Sequence, residues 1–151
     1  MQNNFLKSIF CRNLTKLILT NRMLHTSHSY HFGILEIHDN FVMAIMKDGI
    51  VVKPEYNKYL KDIANKYYKD KPFGYITNRT NSYSVDPRIY FETSKIKNLV
   101  AFSVVSDKKI NLTNAELEKI FLKKPFKHFT DLKDAVKWVN NIVKKTKKNK
   151  A

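Results

Sequence analysis

Two stretches of this chain hold residue types able to do chemistry. The first is Asn78, Arg79, Asn81, Ser82, Tyr83, Ser84 and Asp86, which set one cation among amides, hydroxyls and a carboxylate. Guanidinium and amide N–H groups donate, so such a set suits an anion or a partner's backbone. The same residues also suit the needs of a loop. Asn and Ser side chains satisfy turn backbone, and Asp86 ahead of Pro87 is placed to cap a helix. The second stretch is His25, His28 and His31. On a helix that spacing gathers imidazoles on one side for a metal, but the surrounding Thr-Ser and Ser-Tyr favour extended chain, where it does not. No metal site is predicted.

Other chemistry is excluded more simply. Cys11 is the single cysteine, which rules out a disulfide framework and a multi-cysteine zinc site and suits a reducing compartment. Gly33, Gly49 and Gly74 are scattered, so neither the dinucleotide fingerprint nor the phosphate-binding P-loop is present. No His or Cys accompanies the loop serines as a triad, and Glu116 and Glu118, two apart on a helix, diverge. Three Asn-X-Thr sequons, at Asn13, Asn78 and Asn111, stand in a chain with no other secretory feature. The expectation is a protein that is not an enzyme and carries no catalytic residue and no cofactor.

The elements that must position the loop follow from periodicity. The 151 residues, 43% hydrophobic with ten Phe, suit one globular domain. Tyr30–His38 reads as a strand, Asp39-Asn40 as a turn, and Phe41–Val52 as a long returning strand with a second turn or bulge at Asp48-Gly49. Pro54 opens a helix to about Asp70, with Tyr56, Tyr59, Leu60, Ile63, Ala64 and Tyr67 on its apolar face. Phe73–Asn78 is a buried strand, 79–85 a polar loop, and Asp86-Pro87 the start of a short helix to about Ser94. Leu99–Ser106 reads as a central parallel strand. Thr113-Asn-Ala-Glu116 is a capping box, Phe126–Phe129 a short strand, and Thr130 or Asp131 the cap of a last helix burying Leu132, Ala135, Val136, Val139 and Val143 beside Trp138. The expected fold is α/β: an antiparallel hairpin followed by βαβαβα, a mixed sheet packed by about four helices.

The net charge of +15, from 28 Lys and Arg against 13 Asp and Glu, lies mostly at the ends: +4 in residues 1–35 and +5 in 144–151, leaving +6 between. Of the 28, 24 are Lys and four Arg, the bias of AT-rich codons. Arg is the bidentate reader of phosphates and bases, so no specific nucleic-acid recognition is expected. Weak polyanion binding through the Lys tail remains a reading. Residues 1–29 are basic, acid-free and amphipathic. They read as an extension outside the domain, either leader-like, with a mitochondrial matrix destination, or an over-long start ahead of Met23. Residues 30–143 form the domain, and 144–151 a frayed, solvated helix end. The apolar stretches fall short of a transmembrane segment.

The run Gly74-Tyr-Ile-Thr-Asn-Arg-Thr-Asn-Ser-Tyr-Ser-Val-Asp-Pro87, with the Asn98-Leu-Val-Ala strand and the Leu117-Glu-Lys-Ile-Phe helix, resembles the small SpoIIAA-like (STAS/SEC14-type) proteins of Bacteroidetes, relatives in fold of the anti-sigma-factor antagonists. The resemblance covers about residues 30–143. It implies a non-catalytic regulatory or protein-interaction domain in a bacterial cytoplasm, docking a protein partner through loop 78–86. Its alternative is a small-molecule or lipid-like ligand held in a SEC14-type cleft. Ser82 and Ser84 stand where those antagonists carry their switch serine, which makes them candidate phosphorylation sites. The chain departs from the antagonists' pattern, having Tyr83-Ser84-Val85-Asp86-Pro87 in place of an Asp-Ser-Ser/Thr-Gly run.

Overall fold

The computed structural model describes residues 24–107 and 120–151. Strand β1 (Leu24–Tyr30) pairs antiparallel with β2 (Gly33–His38), and β2 pairs antiparallel with β3 (Phe41–Met46) across the Asp39-Asn40 turn. The chain then leaves the sheet through the short β4 (Val51–Val52), a 3₁₀ turn at Pro54–Tyr56 and helix α1 (Asn57–Tyr67). It returns as β5 (Phe73–Asn78), parallel to β3 with Phe41 opposite Gly74. A second excursion holds β6 (Ser84–Val85), which pairs in parallel with β4, and helix α2 (Arg88–Ser94). Strands β7 (Leu99–Val105) and β8 (Phe126–Phe129) continue the parallel half, and α3 (Leu132–Lys150) closes the fold. The described strands thus make one six-stranded mixed sheet, β1-β2-β3-β5-β7-β8, and a separate β4-β6 ribbon. This is the α/β architecture the periodicity predicts. No described helix is long and apolar enough to cross a membrane.

Three sequence expectations are corrected. Tyr30–His38 is not one strand: His31-Phe32 is a turn, and the partner of β2 is residues 24–30, six of which the sequence places in the basic extension. Phe32 explains the misreading. It sits at the turn yet is buried, stacked on Tyr56 at 4.5 Å and on Tyr30 at 5.1 Å, so an apolar turn residue made the run look continuous. Likewise the strand expected over Phe41–Val52 ends at Met46, and of the turn or bulge expected at Asp48-Gly49 it is the turn that forms, Gly49 at a φ of 73° carrying the chain into the ribbon. Finally, residues 144–150 are not frayed but helical. Lys147 donates to Asn40 Oδ1 at 2.8 Å, and Asn40 donates to Asn140 at 2.9 Å, so the last turns are held against the β2–β3 turn. The Thr113–Glu116 capping box lies outside the described residues.

The two sheet faces differ in filling. On one, Ala135, Val139 and Val143 of α3 pack on Phe41, Ile76, Ala101 and Val105. On the other, α1 and α2 cover Leu35, Val42, Ala44, Phe73, Tyr75 and Phe102, with buried Leu122 of the helical residues 120–122. Asp131 fixes the start of α3, its Oδ1 accepting from the N–H of Lys133 at 2.7 Å and of Asp134 at 3.3 Å. Gly74 sets how near α3 lies, since a Cβ built there would run into Val139 Cγ1. Val is β-branched and stiff, and Val139 is fully buried, so it has little room to yield. Gly74→Ala is expected to destabilise the protein by about 1–3 kcal/mol in urea unfolding. Val139→Ala in the same chain should recover part of that loss rather than add its own full cost.

Candidate functional site: a half-open cavity beneath the ribbon

Strand β5 ends at Asn78, and its alternation carries Tyr75, Thr77 and Arg79 onto the face covered by α1 and α2. The Arg79 N–H donates to Val105 O at 2.9 Å, which continues the strand by one residue. The chain after it is sewn onto the β3–β4 segment. Asn81 Nδ2 donates to Met46 O at 2.8 Å, the Ser82 N–H to Asp48 Oδ1 at 2.9 Å, and Gly49 N–H back to Ser82 O at 2.7 Å. The N–H groups of Ser84 and Asp86 donate to Ile50 O at 3.1 Å and Val52 O at 2.9 Å. Asp86 also accepts from the backbone and guanidinium of Arg88 at 2.5–3.1 Å.

The seven residues predicted as one patch therefore divide. Asn81 fastens the loop, and Asp86, one residue ahead of the Pro87 cap of α2, pairs with Arg88. Asn78, half-buried, ends the strand. Ser82 and Ser84 are exposed on the outer side of the loop while their backbones hold it to the β3–β4 segment. Only Arg79 and Tyr83 line the interior. The Arg79 guanidinium lies 5.1 Å from the centre of the Tyr83 ring, and the Tyr83 hydroxyl meets Thr77 Oγ1 at 2.8 Å.

Beneath them is a half-open cavity of about 50 Å³. Its floor is sheet, with Leu35, Tyr75 and Phe102; Tyr75 and Phe102 stack at 4.9 Å. Its sides are the 3₁₀ turn and the start of α1, through Tyr56 and Asn57, and the inner face of α2, through Tyr90 and Thr93, and its roof is Val52 and Val85 of the ribbon. Burial pushes the Tyr75 hydroxyl well above the ordinary phenol range, the neighbouring Tyr83 adding to the effect and Arg79 opposing it. Tyr75 is accordingly a neutral phenol at any physiological pH.

Asn57 is the residue that sequence reasoning missed. It is 4% exposed, and Thr93 Oγ1 lies 3.0 Å from its Oδ1 and 2.9 Å from Ile89 O. A hydroxyl has one proton, so that contact is shared between two acceptors. The Asn57 amino group has no hydrogen-bond partner among the described residues. Its signal was legible: it falls three residues before Leu60, a polar side chain on the stripe that α1 buries.

The three histidines are not brought together. His25 pairs with Asp39, His28 Nε2 lies 2.9 Å from the Tyr67 hydroxyl, and His31 meets the Tyr56 ring edge-on at 5.2 Å. No cluster of metal-ligating side chains occurs among the described residues.

No family model matches the chain, and no curated protein matches it. Among solved structures it is similar to an uncharacterised protein of the DUF3478 family with a SpoIIAA-like fold from Shewanella loihica PV-4, at 14% identity. The match covers 76% of this chain and 90% of that one, with a TM-score of 0.44. A likeness of that degree carries no functional information.

The Asp86–Arg88 pair gives a test of the loop's anchoring. Hydrogen bonds from the Arg88 side chain and then its backbone hold the Asp86 carboxyl below the ordinary Asp range. A depressed folded value means the pair stabilises the fold above the unfolded pKa and is lost as pH falls through the folded one. NMR titration of the Asp86 carboxyl should give a low midpoint, and Arg88→Gln should move it up towards the ordinary value.

Proposed function

We propose that this protein is a non-catalytic binding module that takes a small ligand in the cavity beneath the β4-β6 ribbon. The observation that carries this is Asn57, a buried amide whose amino end has no hydrogen-bond partner among the described residues, beside a largely apolar cavity. Leaving a buried donor unmade costs about 1–3 kcal/mol, so a protein without use for it would be better served by Leu at that position. The residues around the cavity are aromatic, aliphatic, amide, hydroxyl and guanidinium. That set binds and orients, and it holds no nucleophile with an adjacent base. Pockets for drug-sized or lipid-like molecules run to roughly 300–1,000 Å³, so the size of this one favours a small guest over the lipid-like ligand of a SEC14-type cleft.

A second reading keeps the loop as a docking surface for a protein partner. It is favoured by the exposure of Ser82 and Ser84 on a segment whose backbone is fixed, so that a phosphate there would alter a rigid face. Phosphopeptide mapping from growing and starved cells should find one of these serines modified if the loop is the working surface. Finding neither modified removes the switch.

The two readings part at Asn57→Leu. For the ligand reading, the empty variant should keep wild-type stability in urea, or gain up to about 1 kcal/mol, because the unmade donor and the shared Thr93 contact leave together. Small molecules that co-purify with the wild type in native mass spectrometry should be absent from the variant. A loss of more than about 2 kcal/mol would place Asn57 in the service of the fold instead.

A further inference from the structure

We propose that the outer edge of β1 is where a second copy of this chain docks, its own β1 pairing antiparallel about a two-fold axis. In an antiparallel ladder alternate residues of each strand turn their N–H and C=O groups away from the neighbour. β1 pairs with β2 on one side, and no described strand takes the other. Its outward donors and acceptors are a template for one more strand.

The two ends of the sheet are built differently. β8, at the opposite end, carries the exposed Lys127 and follows Lys123, Lys124 and Pro125. Lysine and proline at an edge deter pairing, the first by its charge and the second by its missing N–H. β1 has neither. Leu24–Tyr30 holds no Lys, Arg, Asp, Glu or Pro, in a chain of which 27% is charged. Its one irregularity, a register shift between Leu24 and Thr26, lies at its start and leaves Thr26–Tyr30 in unbroken register with β2.

β1 is also held in place before any partner arrives. Its half-buried side chains are Thr26, His28 and Tyr30. His28 Nε2 lies 2.9 Å from the Tyr67 hydroxyl, and the Tyr30 ring 4.6 Å from that of Tyr59. Both contacts are to α1, so the strand is pinned to the domain and loses little further freedom on pairing.

Charge selects the occupant. Each copy carries a net +15, so two copies meet most readily where lysine is absent, and β1 is such a place. An acidic partner would be drawn instead to the lysines of α3 and to the groove near Lys66, Lys71 and Lys147. An uncharged row of hydroxyls and imidazoles is matched by a strand of the same composition. Paired antiparallel with itself, β1 sets no fixed charge against another in any register. Seven residues a side is short of the roughly 20–30 that a stable interface engages, so the dimer is weak and concentration-dependent.

The test is sedimentation equilibrium of the full chain up to about 1 mM, which reaches weak dissociation constants. Amide hydrogen exchange is measured at both ends of the concentration range. A monomer–dimer equilibrium is expected. Alternate amides of Leu24–Tyr30 should exchange several-fold more slowly in the concentrated sample, and those of Phe126–Phe129 should not change. Ser27→Lys with Ser29→Lys sets lysines against one another across the two-fold and should weaken the dimer about tenfold. Val51→Lys with Phe91→Lys adds the same charge at exposed positions away from β1 and should weaken it far less. The exchange comparison uses the wild type alone, so it decides the matter even where a lysine variant fails to fold. A chain monomeric at every concentration overturns the proposal. If its β1 amides are then slow at every dilution, the edge belongs to residues 1–23 of the same chain, which lie outside the described residues. A dimer that protects amides elsewhere, or that both lysine pairs weaken equally, overturns it as well.

Discussion

The two faces of β5 impose opposite demands on what covers them. Gly74 and Ile76 on one face let α3 settle until Val139 touches strand backbone, and there is no room for a Cβ. Phe73, Tyr75, Thr77 and Arg79 follow on the other, rings first and then polar groups towards the strand's end. Side chains of that size hold α1 and α2 away from the sheet near its carboxyl edge. The space left is bridged by the β4-β6 ribbon, whose backbone bonds to the loop after β5 keep it in place. Close packing on one face thus gives the sheet rigidity, and looser packing on the other gives it an opening.

Much of this was legible. Phe73–Asn78 and Phe126–Phe129 are strands with the ends that their flanking Pro and polar residues dictate, and Asp131 caps the last helix as its position predicts, whereas Asp86 stands one residue ahead of the cap, Pro87, and accepts from the Arg88 N–H. These are local signals, set by turn chemistry and periodicity within a few residues. The features missed are those that local signals do not carry. Strand β1 is an edge strand whose half-buried positions are Thr26, His28 and Tyr30, so its inward face carries no aliphatic pattern and it reads as leader. The ribbon is two residues on each side, too short for any period. The division of the loop into residues that fasten it and residues that face inward depends on Met46, Asp48 and Ile50, which lie over thirty positions earlier in the chain.

The cavity was the least legible part, because it is assembled from β2, β5, α1, α2 and the ribbon together. Even so, one residue announced it. A polar side chain on the buried stripe of an amphipathic helix demands a partner, and among the described residues Asn57 has found only part of one in Thr93. Arg79, singled out from sequence as a cation in a strand-end loop, faces the same space from the other side.

The most direct measurement is a high-resolution crystal structure of the protein as purified. The account predicts an open cavity beneath the ribbon with density for a small molecule against the Asn57 carboxamide. It is contradicted by a structure in which the Tyr56 or Tyr83 ring has moved in to fill the space and Asn57 has found a partner within the protein.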